Sequence, residues 1–145
     1  MENQYLIKTA ISDLQASTYV FKNQKTMYGG KFIAEGDTVF VFASENEGGK
    51  GLICKAVVTS ATATPRKVGV ERQTPRVSIS VRRTANVAKS LGRVELKPFC
   101  SWDDGRPETE LNFKFYRQAT NKIGGISHEA AALLNMHVTG AKSRA

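Results

Sequence analysis

Three aromatic residues lie in stretches of the sequence that are polar or rich in turn-forming residues. Trp102, the only tryptophan, lies in the loop-like segment FCSWDDGRPETE, and Tyr28 precedes two glycines. Tyr116 is predicted to face away from the side that carries Phe113 and Phe115. Aromatic faces in a basic environment are what stacking on a nucleic-acid base requires, and each stacked base contributes about 1–3 kcal/mol. Each ring also has a packing interpretation, with Trp102 closing the end of a barrel and the tyrosines belonging to the core.

A polar stretch, Ser44-Glu45-Asn46, follows directly after an apolar run of the sequence. Its hydroxyl, carboxylate and amide groups can form hydrogen bonds with the polar edge of a base. An enclosed site of this kind accepts a single base that is splayed or flipped out of its strand. The residues predicted to form this base-binding pocket are Trp102, Ser44, Asn46, Tyr28 and Tyr116.

Positive charge is concentrated in one third of the chain. Residues 65–97 contain nine Lys or Arg and two Glu, so they carry +7 of the net charge of +8. A local excess of this size is typical of polyanion binding, although a solvated basic surface without a partner has the same composition. Short hydroxyls and arginines alternate on the outer face predicted for residues 76–83, which suits backbone phosphates. The predicted phosphate-binding residues are Arg76, Arg82, Arg83, Arg66 and Lys67.

No catalytic motif is present, since the sequence lacks GxSxG, HExxH and a phosphate-binding loop. Cys54 and Cys100 lie far apart and outside any CxxC pattern, which predicts free thiols in a reducing compartment. The carboxylates of residues 103–110 are typical of a solvated loop rather than of a metal site. We therefore expect no enzymatic activity, no cofactor and no metal.

The length of 145 residues predicts one domain with its core at about residues 5–138 and a frayed tail over residues 139–145. No apolar run approaches the roughly 20 residues of a membrane helix. The N-terminal MENQYLIKTA lacks the basic and apolar regions of a secretory signal. These features predict a cytoplasmic protein without a membrane partner.

The stretch Gly36–Ala61 organises the predicted fold. Its two runs rich in Val, Ile and Phe, Thr38–Ser44 and Gly51–Ala61, predict the strands of a hairpin. Both faces of the first strand are apolar, so we expect it to be covered on both sides. That arrangement is typical of a small barrel packed against a helix, or of the middle of a sandwich.

Further elements follow from alternation and capping signals. A capping box at Ser12–Gln15 predicts a helix from Asp13 to about Lys25, although β-branched residues within it also suit a strand. Ser127 caps a predicted final helix, His128–Asn135. Strands are predicted at Tyr5–Ala10, Arg76–Arg83 and Leu111–Gln118, a loop at residues 99–110, and a turn at Asn121–Gly125.

The order of these segments resembles the PUA-like superfamily, and most closely its EVE-type domains. The resemblance rests on GDTVFVFAS, GGKGLICKAVV, the basic alternating strand and FKFYRQATNKIGGIS before a short helix, and it covers about residues 5–135. EVE domains usually end the first of these strands in aromatic–His–Ser. Here the strand ends in Phe42-Ala43-Ser44, so Ser44 is the residue that carries over. ASCH-like and YTH-like domains share the same barrel.

The resemblance implies an α+β fold, a small mixed or antiparallel β-barrel flanked by short helices. It also implies a pocket that reads modified bases in DNA or RNA. We therefore expect a non-enzymatic nucleic-acid-binding module, with an effector protein as a further partner because a lone reader has no effector. Two alternatives stay open: an RNA-processing enzyme or ribonuclease on the same barrel, and a small-molecule or protein-interaction domain with incidental charge.

Overall fold

The computed structural model describes residues 4–45, 49–65, 67–69, 73–101, 103–117 and 121–139. Within these ranges six strands close into a barrel in the order β1-β3-β4-β5-β2-β6. The pairs β1–β3 and β2–β6 are parallel, and the other pairs are antiparallel. The predicted α+β fold, a small mixed barrel flanked by short helices, is confirmed. The strands are β1 (Gln4–Thr9), β2 (Thr18–Met27), β3 (Thr38–Ala43), β4 (Gly51–Ala63), β5 (Arg76–Asn86) and β6 (Lys122–Gly125).

Short helices pack against the barrel wall at Leu6, Phe40 and Phe42. A 3-10 turn forms at Gly30–Phe32, and a π-helical turn at Phe113–Arg117 continues directly from the second helix. No helix in the described part of the chain has the length and apolar content needed to cross a membrane. The helices are α1 (Arg93–Leu96), α2 (Pro107–Asn112) and α3 (His128–Asn135).

Strand β3 belongs to two hydrophobic layers, as its sequence predicts. Val39, Val41 and Ala43 pack inside the barrel, whereas Phe40 and Phe42 pack between the barrel wall and the helices. All five side chains are fully buried. Burying a large apolar side chain contributes about 1.5–3 kcal/mol, so this strand holds the barrel and the helix layer together.

The predicted helix over residues 13–25 is wrong, because this segment forms β2. The carboxylate of Asp13 accepts a hydrogen bond from the amide of Gln15 at 2.9 Å, which closes a local turn rather than a helical N-cap. From Thr18 onward the chain pairs with β5. Long-range pairing of β-branched and aromatic residues has therefore overridden the capping signal.

The predicted strand over residues 111–118 is also wrong where the structure describes it. Pro107 begins α2, so the predicted loop is shorter, and the helical path continues through residue 117. Leu111 and Phe115 are buried at helical spacing, whereas Phe113 is 37% exposed. The predicted turn at Asn121–Gly125 is instead β6, which pairs with β1.

The remaining predictions of secondary structure agree with the structure. On β5, Val77, Ile79 and Val81 are buried. At the start of α3 the hydroxyl oxygen of Ser127 accepts a hydrogen bond from the amide of Ala130 at 3.1 Å, which is the predicted N-cap.

Arg83 joins the segment before β2 to the barrel. Its guanidinium donates hydrogen bonds to the carbonyls of Leu14 at 2.6 Å and Ala16 at 2.8 Å. It also donates to the hydroxyl of Tyr19 at 2.9 Å and to the side chain of Asn86 at 2.8 Å. This arginine, predicted to contact phosphate, is used inside the protein.

We expect Arg83→Met to lower the free energy of unfolding by about 2–4 kcal/mol. Each lost hydrogen bond contributes about 1 kcal/mol, and the partly buried carbonyls would lose their donor. Arg82→Met is the matched control, because Arg82 is an exposed neighbour with the same charge and should change stability by less than about 0.5 kcal/mol. Urea unfolding of both variants measures the difference, and equal losses would contradict this role of Arg83.

Candidate nucleic-acid interface

Lys8 is a lysine that lies inside the protein. It follows Leu6 on the face of β1 that packs against the helices, and it lies opposite Phe42 of β3 in the strand register. Its side chain is fully buried, and its Nζ lies 4.7 Å from the ring centroid of Tyr116. Among the described residues, this Nζ has no hydrogen-bond partner. Burial lowers the pKa of Lys8, and the nearby carboxylate of Glu45 partly opposes that shift.

Ser44 lies where β3 leaves the barrel. Its amide donates to the carbonyl of Thr9 at 2.9 Å, which extends the pairing of β1 with β3 by one residue. Strand alternation places its side chain on the face of Phe42 and Lys8. The hydroxyl of Ser44 is buried and has no partner in the described part of the chain. Two polar groups that have no partner in the described ranges therefore lie at the same end of the wall formed by β1 and β3.

Glu45 connects three elements at this point. Its carboxylate accepts a hydrogen bond from the hydroxyl of Tyr116 at 3.0 Å and another from the amide of Arg93 at 2.7 Å, at the start of α1. Burial raises the pKa of Tyr116 well above its ordinary value, and the negative charge of Glu45 raises it further. The Tyr116 hydroxyl therefore stays protonated and acts as a donor to Glu45.

Lys122 is a second buried lysine and lies directly opposite Lys8 in the register of β1 and β6. Its Nζ lies 5.2 Å from the ring centroid of Phe115. Burial, together with the positive charge of Lys8, lowers the pKa of Lys122 to about 8. We call the five residues Lys8, Ser44, Glu45, Tyr116 and Lys122 the buried polar cluster.

The buried polar cluster offers donors, one carboxylate and one aromatic ring at the boundary between barrel and helices. Such a set can bind a planar polar ligand by stacking and by hydrogen bonds. In the described ranges, no three His, Cys, Asp or Glu side chains lie close enough together to hold a metal ion. Burial raises the pKa of Cys54 to about 11, so its thiol is protonated near neutral pH and is a poor nucleophile.

The structure brings together two of the five residues predicted for the base-binding pocket, Ser44 and Tyr116. Tyr28 lies elsewhere: its carbonyl accepts a hydrogen bond from Gly125, at the opposite end of β6 from Lys122. The ring of Tyr28 faces Lys114, whose Nζ is 5.0 Å from the ring centroid. Trp102 and Asn46 lie outside the described residues.

The predicted phosphate-binding residues also differ in their environment. Arg76, Arg82 and Lys67 are exposed, and Arg76 donates to the carbonyl of Asn23 at 2.8 Å. Lys67 and Arg76 line a cavity of about 510 Å³ beside the ends of β4 and β5. Arg83 makes the internal hydrogen bonds described above. Arg66 lies outside the described residues.

The sequence predictions missed Lys8 and Lys122. The available signal was a lysine on the same face as Leu6 in the apolar strand YLIKT, which is unusual for a covered strand face. Lys122 gave less signal, because residues 121–125 read as a turn. Only the pairing of β1 with β6 places the two lysines opposite each other.

The fold is similar to that of several solved structures, in agreement with the small barrel that the sequence resemblance implies. Human THYN1, in a crystal structure with DNA containing 5-methylcytosine, aligns with 93% of this chain and 97% of its own (TM-score 0.64, 15% identity). The DUF55 domain of human thymocyte nuclear protein 1 aligns over 90% and 95% (TM-score 0.61, 13% identity). A hypothetical protein from Leishmania major aligns over 94% of both chains (TM-score 0.60, 18% identity).

These identities are low, so the likeness concerns the fold. Comparisons of the sequence with protein-family models and with curated proteins find no match.

We expect the stability of the protein to rise between about pH 8 and pH 9. In the unfolded chain Lys122 has its ordinary pKa of 10.5 and still binds a proton in this window. In the folded protein its pKa is about 8, so the proton is lost there. The unfolded state therefore binds more protons, and unfolding becomes harder as the pH rises. The lowered pKa of Lys8 acts in the same direction.

Urea unfolding midpoints at about pH 7, 8 and 9 test this dependence. Above about pH 9 the raised pKa of Cys54 acts in the opposite direction, so the comparison ends there. Lys122→Met should flatten the profile. A midpoint that falls in the wild type from pH 8 to pH 9, or an equally steep rise in the variant, would contradict the assignment.

Proposed function

We propose that this protein is a non-enzymatic nucleic-acid-binding domain that takes a single base, plain or modified, into a pocket at the buried polar cluster. The observation that carries the proposal is that Lys8 Nζ and Ser44 Oγ are buried and have no hydrogen-bond partner among the described residues. Buried polar groups are nearly always hydrogen-bonded, and an unsatisfied one costs about 1–3 kcal/mol, more if it is charged. A polar ligand that enters at this point would supply the missing partners.

The chemistry of the buried polar cluster suits a base. A base presents hydrogen-bond acceptors on its edge for Lys8 and Ser44, and a flat face for the ring of Tyr116. A base must leave its stack to reach such a site, which is how proteins read or modify single bases. Trp102, from the segment after α1, is proposed as a second stacking residue.

The nucleic-acid partner is supported by two further observations. The fold is shared with human THYN1, whose structure contains DNA with 5-methylcytosine. The segment of residues 65–97 carries most of the net positive charge. We propose phosphate contacts from Arg66, Lys67, Arg76 and Arg82 and leave out Arg83, whose guanidinium is used within the barrel.

The proposal includes DNA and RNA as partners, an effector protein that acts on the bound state, and a cytoplasmic location. A reducing compartment fits the two cysteines, since Cys54 and Cys100 are both free thiols.

Fluorescence of Trp102 tests the proposed function, because this residue is the only tryptophan. The titrants are short single- and double-stranded DNA and RNA, plain or carrying one 5-methylcytosine, at low and moderate salt. We expect quenching that depends on the base and persists at moderate salt, because stacking is less screened than phosphate contacts. Quenching that ignores the base and vanishes with salt would contradict a pocket. Gel analysis of the same samples tests the ribonuclease alternative, which requires cleaved products.

We expect Ser44→Ala to weaken oligonucleotide binding about fivefold while leaving the folded state equally stable or slightly more stable. The variant removes one hydrogen bond to the ligand and also removes a buried hydroxyl that has no partner among the residues that the structure describes. Ser80→Ala, on the half-buried face of β5, is the matched control and should change neither property. A clear loss of stability in Ser44→Ala would indicate a structural role for the hydroxyl instead.

A further inference from the structure

The cavity of about 510 Å³ beside the ends of β4 and β5 is a second place where a ligand could bind. Its volume falls within the range of about 300–1,000 Å³ that is usual for ligand-binding cavities. The described residues that line it come from the 3-10 turn at Gly30–Phe32, from the end of β4 and the residues after it, and from residues 73–77 at the start of β5. None of them belongs to the buried polar cluster, so this cavity is a separate site.

The charge of this cavity is positive. Lys31, Lys67 and Arg76 line it, and no carboxylate is found among its described lining residues. All three cations are exposed, and none of them forms a salt bridge with a described Asp or Glu. Cations that converge on one cavity without a carboxylate between them attract an anion.

Phe32 adds an exposed aromatic ring to the cavity. This residue is 66% exposed, and the Nζ of Lys31 lies 5.1 Å from its ring centroid. Proteins that bind single strands combine such rings with cations, because an unpaired base stacks on the ring while the cations contact the backbone. A duplex would contact the cations alone, since its bases are already stacked on one another.

Hydrogen bonds and packing hold the walls of the cavity in place. The carbonyl of Pro75 accepts hydrogen bonds from the amide of Thr26 at 3.1 Å and from its hydroxyl at 2.7 Å. The side chain of Gln73 bonds both the amide and the carbonyl of Lys67, each at 2.8 Å. On the opposite wall, Ile33 follows Phe32 and is buried in the core of the barrel. A site whose walls are fixed in this way loses little entropy on binding.

We propose that this cavity binds one unpaired nucleotide of a single-stranded nucleic acid, with the base stacked on Phe32 and the phosphate held by Lys31, Lys67 and Arg76. The inference rests on the proposed function for its class of partner, nucleic acid. It deepens that function by naming a second binding site and the single-stranded form of the partner. It does not require a base at the buried polar cluster.

Fluorescence anisotropy with labelled DNA tests this inference. The probes are a single-stranded oligothymidylate of about 12 nucleotides, a strand of the same length with only abasic sites, and the duplex of the oligothymidylate with its complement. Unlabelled thymidine monophosphate is the competitor. We expect the oligothymidylate to bind at least about fivefold more tightly than the other two probes, because it alone offers unpaired bases to the ring. Thymidine monophosphate should compete only at far higher concentration, because it brings a single phosphate.

Phe32→Leu should weaken binding of the oligothymidylate at least about fivefold and leave the abasic strand nearly unchanged. The variant removes the ring and keeps an apolar side chain at an exposed position, so circular dichroism should show the fold of the wild type. Phe32→Tyr is the matched control, since it keeps the ring, and its Kd should lie within about twofold of the wild type.

Lys67→Met should reduce the slope of log K against log salt concentration by about 0.7, the value of one phosphate contact on a single strand. Lys97→Met is the matched control, because Lys97 is an exposed lysine with the same charge that does not line the cavity. Its slope should equal that of the wild type.

The outcomes separate the inference from the function on which it rests. If Phe32→Leu binds the oligothymidylate as tightly as the wild type while Ser44→Ala binds it more weakly, the second site is overturned and the base pocket stands. The reverse pattern supports the second site and overturns the pocket. If the duplex or the abasic strand binds as tightly as the oligothymidylate, or thymidine monophosphate competes equally well, an unpaired nucleotide of a strand is not the ligand and the inference is overturned. If no probe binds, both the proposed function and the inference are overturned.

Discussion

The burial of both faces of β3 is the constraint on which the rest of the structure depends. Val39, Val41 and Ala43 fill the barrel, and Phe40 and Phe42 hold the helices against its wall. Ser44 follows directly after this strand, and Lys8 lies beside it on β1, and both side chains are buried.

The buried polar cluster is held mainly by strand register rather than by loops. Lys8 and Lys122 are fixed as direct neighbours on β1 and β6, and Ser44 continues the pairing of β3 with β1. Glu45 is fixed by the amide at the start of α1, and Gly92 makes this approach possible because a Cβ there would overlap with the carboxylate. Side chains supported by a hydrogen-bonded frame lose little entropy on binding, which favours specific recognition.

The sequence predicted the elements whose pattern is local and missed those that depend on distant pairing. The apolar runs of β3 and β4, the alternation of β5 and the Ser127 cap of α3 were sufficient, because each signal lies within its own element. Residues 111–117 alternate over too few positions to distinguish a strand from a helix, and Pro107 was the only sign of a helix start. Segment 13–25 carried a capping signal, but pairing with β5 decided its structure.

The candidate site shows the same division. Ser44 and Tyr116 were predicted from residue type and position, whereas Lys8 and Lys122 acquire their meaning only when β1 and β6 pair across more than 100 residues of sequence. Arg83 shows the limit of counting charges. Its charge adds to the basic total of residues 65–97, but its guanidinium binds the carbonyls of Leu14 and Ala16 within the protein. Total charge therefore indicates a class of partner, and only the fold decides which cations are available to it.

The π-helical turn explains how an aromatic ring reaches the end of the barrel. Phe115 packs in the core against Gly124, where a Cβ would lie 2.9 Å from the phenyl ring, so β6 and the turn approach closely only because that residue is glycine. Phe115 thereby fixes the turn, and the next residue, Tyr116, is directed towards Lys8 and Glu45. Such turns are uncommon and occur frequently at functional sites. The apolar contact between Phe115 and Gly124 therefore fixes the position of the Tyr116 ring, on which we propose that a bound base would stack.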